Sequence, residues 1–264
     1  MRSFRIRTPR LRIVFCLILL AAEQPGFPQS PYTISAAPTL KFPYAESLVY
    51  RVGWRMVTAG QANLKLTPAE NNGWQFNLDL ASSGFVNQLY RVVDNYKLST
   101  NDKFCASSVS LDAQEGKHHV ITTIAFDNGN HKLISTAKDL VGNETKKSEL
   151  DIPPCTYDIA GALMVLRASQ LVPGMKFSLP VTNGKKLANV RVEGLAKEKL
   201  TIGGKVYNTI RYETFVFDNV LYRRKGRLLI WITDDPQRLP VQLRFVFGFP
   251  LGDITLELEK VEKL

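Results

Sequence analysis

The 264 residues carry 34 Lys and Arg against 24 Asp and Glu, a formal net charge of +10. Five of those arginines lie within the first 12 residues, so the remainder is only +5, with no long Lys/Arg run and no basic motif interleaved with aromatics. Nucleic acid is therefore not the expected partner, because its recognition needs a clustered basic footprint.

Arg2, Arg5, Arg7, Arg10 and Arg12 precede an unbroken apolar run over residues 13–22. The run is too short to cross a bilayer, which takes ~20 apolar residues, and it suits the apolar core of a secretory signal peptide. Ala21 and Ala22 offer small residues for cleavage. Leu20 stands where a small residue is preferred, so an uncleaved N-terminal anchor is the alternative. Cys16 is not expected to carry a lipid, since Phe15 precedes it and the apolar run continues to Leu20. Residues 1–22 thus read as a signal peptide of an exported, periplasmic or secreted protein. Pro25, Pro28, Pro31, Pro38 and Pro43 break all periodicity over 23–43, the composition of a disordered linker. Residues 44–264 read as one domain, with no further membrane-spanning segment.

In that domain the dominant signal is period-two alternation, the mark of half-buried strands. Leu48, Tyr50, Val52, Trp54 and Met56 share one face, opposite Arg51 and Arg55. A turn at Thr58, Ala59 and Gly60 then leads to Ala62, Leu64 and Leu66. Trp74, Phe76, Leu78 and Leu80 follow the same rule. Further strands are expected over 92–100, 106–114, 118–127, 132–138, 145–151, 187–200, 205–217, 227–233, 240–247 and 252–261. A short helical turn fits 85–90. Residues 228–232 are apolar on both faces, as in a strand covered on both sides.

One helix interrupts the strands. Pro153 and Pro154 stop the preceding strand, and Asp158 stands where it can cap free helix N–H groups. Residues 159–166 are apolar nearly all round, so the helix must be buried on several sides. The expected fold is mainly β: one large curved antiparallel sheet, half-open and barrel-like, wrapping one apolar helix. A β-sandwich is the alternative.

No motif for a nucleophile, a metalloprotease or a phosphate loop occurs, and no catalytic residue, metal site or cofactor is assigned. Asp234 and Asp235 are a candidate polar motif, since paired carboxylates can serve acid–base chemistry. Adjacent strand residues point to opposite faces, however, and Asp-Asp-Pro favours a turn. His118, His119 and His131 are not expected to converge. Tyr50, Trp54, Trp74, Phe76 and Trp231, with Phe245 and Phe247, are assigned to inward faces, where they either pack the core or line an apolar cavity. Cys105 and Cys155 form an even pair, which favours a disulfide in an oxidising compartment over two buried thiols.

Three blocks of sequence carry a resemblance. They are ESLVYRVGWRMVTAGQANL (46–64), PPCTYDIAGALMVLR (153–167) followed by LVPG (171–174), and LIWITDDPQRLPV (229–241) followed by GDITLEL (252–258). In this order they resemble the bacterial family called domain of unknown function 3108. The resemblance implies an exported envelope protein of Gram-negative-type bacteria, with no established activity and no functional residues to carry over. Cys105 and Cys155 look like the paired cysteines of one branch of that family.

The functional expectation is a non-enzymatic envelope protein that binds an apolar ligand such as a lipid or serves envelope assembly. Two alternatives stand: a hydrolase using Asp234 and Asp235, and a structural partner of an outer-membrane complex working through a sheet edge.

Overall fold

A period-two pattern sustained along most of a chain yields strands that each bury one face. The structure, a computed structural model, describes residues 45–69, 72–169 and 171–264, so the expected signal peptide (1–22) and linker (23–43) lie outside the described residues. Its strands are β1 (Glu46–Trp54), β2 (Val57–Pro68), β3 (Trp74–Ser82), β4 (Val92–Thr100), β5 (Ala106–Glu115), β6 (His118–Asp127), β7 (Lys132–Asp139) and β8 (Glu144–Asp151). They continue with β9 (Lys176–Thr182), β10 (Leu187–Ile202), β11 (Lys205–Thr214), β12 (Arg227–Thr233), β13 (Pro240–Val246) and β14 (Ile254–Lys263). A short helix α1 (Gly84–Leu89) joins β3 to β4, and α2 (Ile159–Ala168) joins β8 to β9.

All fourteen strands form one antiparallel sheet in the order β8-β7-β6-β5-β4-β3-β2-β1-β14-β13-β12-β11-β10-β9. Chain neighbours pair as hairpins, except β8 and β9, which α2 connects. The long-range seam is β1 against β14, in which Tyr50 faces Leu258 and Trp54 faces Ile254. The sheet curls without closing, leaving β8 and β9 at its two edges, with Tyr157 bridging to Val181 on the outer side of β9. Near those edges the Ser148 hydroxyl donates to the Gly184 carbonyl at 3.0 Å. Gly184 has φ 82, and a Cβ there would stand 2.6 Å from Ile124 Cδ1. Glycine is therefore required where the β9–β10 turn tucks against β6.

Helix α2 lies in the concave face. The Asp158 carboxylate caps it, accepting from the Ala160 N–H at 2.7 Å, and Met164, Val165 and Leu166 are buried. A Cβ on Gly161 would stand 2.8 Å from the Phe104 carbonyl oxygen, so only glycine lets the helix approach the β4–β5 loop this closely. That loop is also bonded covalently to the segment entering α2, through the disulfide Cys105–Cys155 with Cα atoms 5.1 Å apart. At the other end, Arg238 donates to the Arg167 and Ser169 carbonyls and to the Tyr212 hydroxyl.

Three expectations are corrected. The first hairpin turns at Arg55 and Met56, not at residues 58–60, and β2 starts at Val57. Arg55 adopts φ 55, and Met56 projects into solvent instead of joining the inward row. Strand β9 is not among the expected strands; Pro180 stands within it, and proline is tolerated there because β9 is an edge strand. Trp231 lies on the opposite face of the sheet from Tyr50. Register carries Arg51 through Glu257 and Gln242 to Trp231, whereas Tyr50 aligns with Leu258. β10 approaches β14 although three strands separate them. The long β10–β11 hairpin thus bends over the outer face, burying Trp231 and Ile202. The Trp231 indole N–H donates to Glu198 of that hairpin. The double-sided burial of 228–232 follows from this second, smaller apolar layer.

Candidate functional site

The two rims of the half-barrel differ. The upper rim carries the β1–β2, β3–β4, β5–β6, β7–β8, β9–β10, β11–β12 and β13–β14 connections. The lower rim carries the remaining turns, the start of β1 and the end of β14. On the concave face the lower rows are sealed. Phe76, Leu98, Val109, Ile124, Val241 and Leu258 are all buried, and Met164 and Leu166 of α2 are buried with them in one core.

One or two pleats higher on the same strands and the same face, burial falls. Leu78 and Leu80 on β3, Tyr96 on β4, Leu111 on β5, Leu243 and Phe245 on β13, and Ile254 and Leu256 on β14 are only partly buried. Ile159 and Leu163, four residues apart and so on one side of α2, are partly exposed as well. These side chains come from five strands, while Tyr50, Ala62, Asp94, Ala113 and Leu258, which align with Leu80 across the sheet, stay buried. The upper part of the concave face thus forms a loosely packed cup above α2, partly covered by the β11–β12 connection, whose Val216, Phe217 and Leu221 are buried and whose Phe217 meets Phe247 edge-on at 5.1 Å.

The floor has a polar pole. The Tyr96 hydroxyl donates to the Asp158 carboxylate that caps α2. Burial pushes Asp158 above the ordinary carboxylate range despite that bond and the helix N–H donors. Burial, then the nearby Asp158 charge, raises the Tyr96 and Tyr222 phenols. On the β4–β5 wall, Asp94 and Glu115 are both buried. Burial, reinforced by the charge of Glu115, pushes Asp94 up to about 7. Such a wall accepts a neutral, apolar occupant more readily than an anion.

The aromatic residues assigned from sequence are divided by the fold. Tyr50 is fully buried and its hydroxyl donates to the Pro240 carbonyl at 2.8 Å. Phe76 meets Tyr96 edge-on at 6.2 Å, and Trp74 stacks on Phe104 at 6.1 Å. Trp54 reaches the lip of the cup, its indole donating to the Leu251 carbonyl at 2.7 Å. Trp231 is outside the cup altogether. Tyr96, Asp94, Glu115 and Tyr222 were not singled out from sequence, although Asp94 and Tyr96 alternate in phase with Leu98.

Asp234 and Asp235 lie on the lower rim, far along the strands from the cup mouth. Asp235 Oδ1 accepts from the Thr233 hydroxyl and the Gln237 and Arg238 N–H groups. Asp234 pairs with Lys197 at 2.7 Å. Both border a shallow depression of about 220 Å³ that is also lined by Lys205, Tyr207 and Gln237. His118 and His119 open β6, His119 pairing with Asp112 at 2.7 Å, while His131 sits in the turn beyond the other end of that strand.

An open antiparallel half-barrel, floored by one capped helix, defines the class of protein. The chain belongs to the family described as Protein of unknown function (DUF3108), whose model matches residues 49–259. Its fold is similar to that of a beta-barrel-like protein of domain of unknown function DUF1849 from Brucella abortus. The two share 8% identity with a TM-score of 0.55, over 84% of this chain and 98% of that one. That likeness concerns fold alone. No curated protein matches the chain.

Proposed function

We propose that this chain is an exported protein of the cell envelope, without catalytic chemistry of its own, that holds an apolar ligand such as an acyl chain in the cup. The observation that carries this reading is the change in burial along β3, β13 and β14. Inward-facing apolar side chains are sealed below and partly exposed above, on a face whose lining is mostly apolar. Export is the reading of the signal-like residues 1–22.

Native mass spectrometry of the protein isolated gently from its own cells, followed by organic extraction, tests it. A reproducible apolar adduct is expected, together with displacement of a fluorescent fatty acid by the extracted material. A bare protein mass, with no uptake of the fluorescent probe, overturns the reading. Recovery of the chain from the periplasmic fraction, with its N-terminus just beyond Ala22, tests export separately.

The hydrolase alternative has less support, because both Asp234 and Asp235 are engaged in a turn and an ion pair. Assembly through the sheet edge is also less favoured. The β8 edge displays Lys146, Lys147 and Glu149, charges of the kind that discourage strand addition.

A further inference from the structure

We infer that the upper rim docks onto the surface of an anionic phospholipid bilayer. The inference stands on the rim itself and is independent of whether the cup holds a ligand.

Three consecutive connections along this rim are α1, the β1–β2 turn and the β13–β14 loop, since their strands are neighbours in the order β4-β3-β2-β1-β14-β13. Two strand spacings separate each from the next, about 10 Å. Each presents large apolar side chains to solvent. Met56 is 99% exposed, Phe249 96%, Phe85 67% and Leu89 58%. Isolated exposed apolar residues are ordinary, but a row of them at successive loop tips marks an interaction surface. The tips are held in place. Arg55 bonds through its guanidinium to the Pro250 carbonyl and through its N–H to the Asp253 carbonyl, tying the Met56 turn to the Phe249 loop.

Charge identifies the partner. Arg55 and Arg91 lie within the apolar row, Lys117 follows α1 on one flank, and Arg223, Arg224 and Lys225 follow the β13–β14 loop on the other; all are exposed. The Arg224 guanidinium lies 5.6 Å from the Phe247 ring centroid. Of the acids on this stretch, Glu115 is buried and Asp253 pairs with Arg244; Asp218 is exposed. An apolar centre flanked by cations fits the headgroup–acyl boundary of a negatively charged leaflet. The exposed apolar side chains stand at separate loop tips, which suits a fluid, flat interface.

Co-sedimentation of the full chain with vesicles tests this. Vesicles of phosphatidylcholine with one-quarter phosphatidylglycerol are compared with pure phosphatidylcholine, at low and high salt. Tighter binding to the anionic vesicles, weakened by salt, is expected. The triple variant Arg223→Glu, Arg224→Glu, Lys225→Glu should lose roughly a hundredfold in that affinity. The double variant Met56→Asp, Phe249→Asp should lose about tenfold or more on both vesicle types. All five positions are exposed, so unchanged thermal melting verifies folding. Equal binding to both vesicle types, or variants indistinguishable from the parent, overturns the inference. The second outcome assigns any vesicle binding to residues 13–22. A fatty-acid probe bound equally by parent and rim variants, measured without vesicles, keeps the cup reading separate from this one.

Discussion

Arg167 and Glu46 form an ion pair in which both side chains are inaccessible, with 1% and 5% of their surface exposed. The pair joins the last turn of α2 to the first residue of β1, across 121 positions of sequence. Arg167 also donates to the Arg238 carbonyl at 2.9 Å, so its guanidinium is well supplied with acceptors. A buried pair of this kind is costly to break, because the partner left behind keeps an uncompensated charge. Arg167→Ala is expected to lower unfolding stability by about 3–5 kcal/mol, and Glu46→Ala similarly. The double variant Arg167→Met, Glu46→Leu should recover most of that loss. Urea denaturation of the four proteins checks this, and a double variant no better than the singles would refute it.

The disulfide acts at the opposite end of the same helix. Cys105 and Cys155 are 50 residues apart, and closing a loop of that size restricts the unfolded chain by roughly 4 kcal/mol in the entropy model. Reduction, or Cys105→Ala with Cys155→Ala, should therefore lower the melting temperature clearly while leaving the strand signature of the circular dichroism in place. Melting unaffected by reductant would show that the loop is held by other contacts.

Much of this architecture is legible in the alternation of residues. Period-two runs mark nearly every strand, and an all-apolar helix capped by Asp158 has nowhere to go except inside a curved sheet. What alternation cannot give is the height at which the helix sits. Leu256 and Leu258 are indistinguishable in the sequence, yet only Leu258 is sealed in the core. The side of the sheet that Trp231 takes is hidden for a related reason. A strand apolar on both faces does not announce which side meets the main core, and the bend of the β10–β11 hairpin depends on contacts far along the chain. Asp94 is hidden in the sequence because a carboxylate in an inward phase looks like an exception to a pattern, when its neighbour Glu115 lies on the next strand.

Asp94 predicts a pH dependence. Its pKa is raised from 3.8 to about 7 by burial and by Glu115, so the folded protein holds this proton more tightly than the unfolded chain. The contribution is fully present at low pH and declines as pH rises from the ordinary carboxylate range to about 7, above which it is flat. Asp94→Asn removes the decline. The variant should match the parent near pH 4 and exceed its stability at pH 8 by roughly 2–4 kcal/mol. Parallel stability–pH curves for the two proteins would contradict a buried, protonated Asp94.

The strongest contrast available lies within β14. Leu256 and Leu258 share a face two residues apart, one in the open part of the cup and the other 3% exposed below it. If the cup holds an apolar ligand, the two positions must respond in opposite ways. Leu258→Ala removes packing from the sealed core and should cost about 2–5 kcal/mol of stability, with fatty-acid affinity unchanged in the molecules that remain folded. Leu256→Gln leaves a polar group that can reach water in the empty protein but is stranded against an alkyl chain. It should cost little stability and weaken binding by about tenfold. Titration of a fluorescent fatty acid, alongside thermal melts of both variants, reads the two effects separately. If Leu256→Gln binds as well as the parent, the ligand does not occupy the concave face.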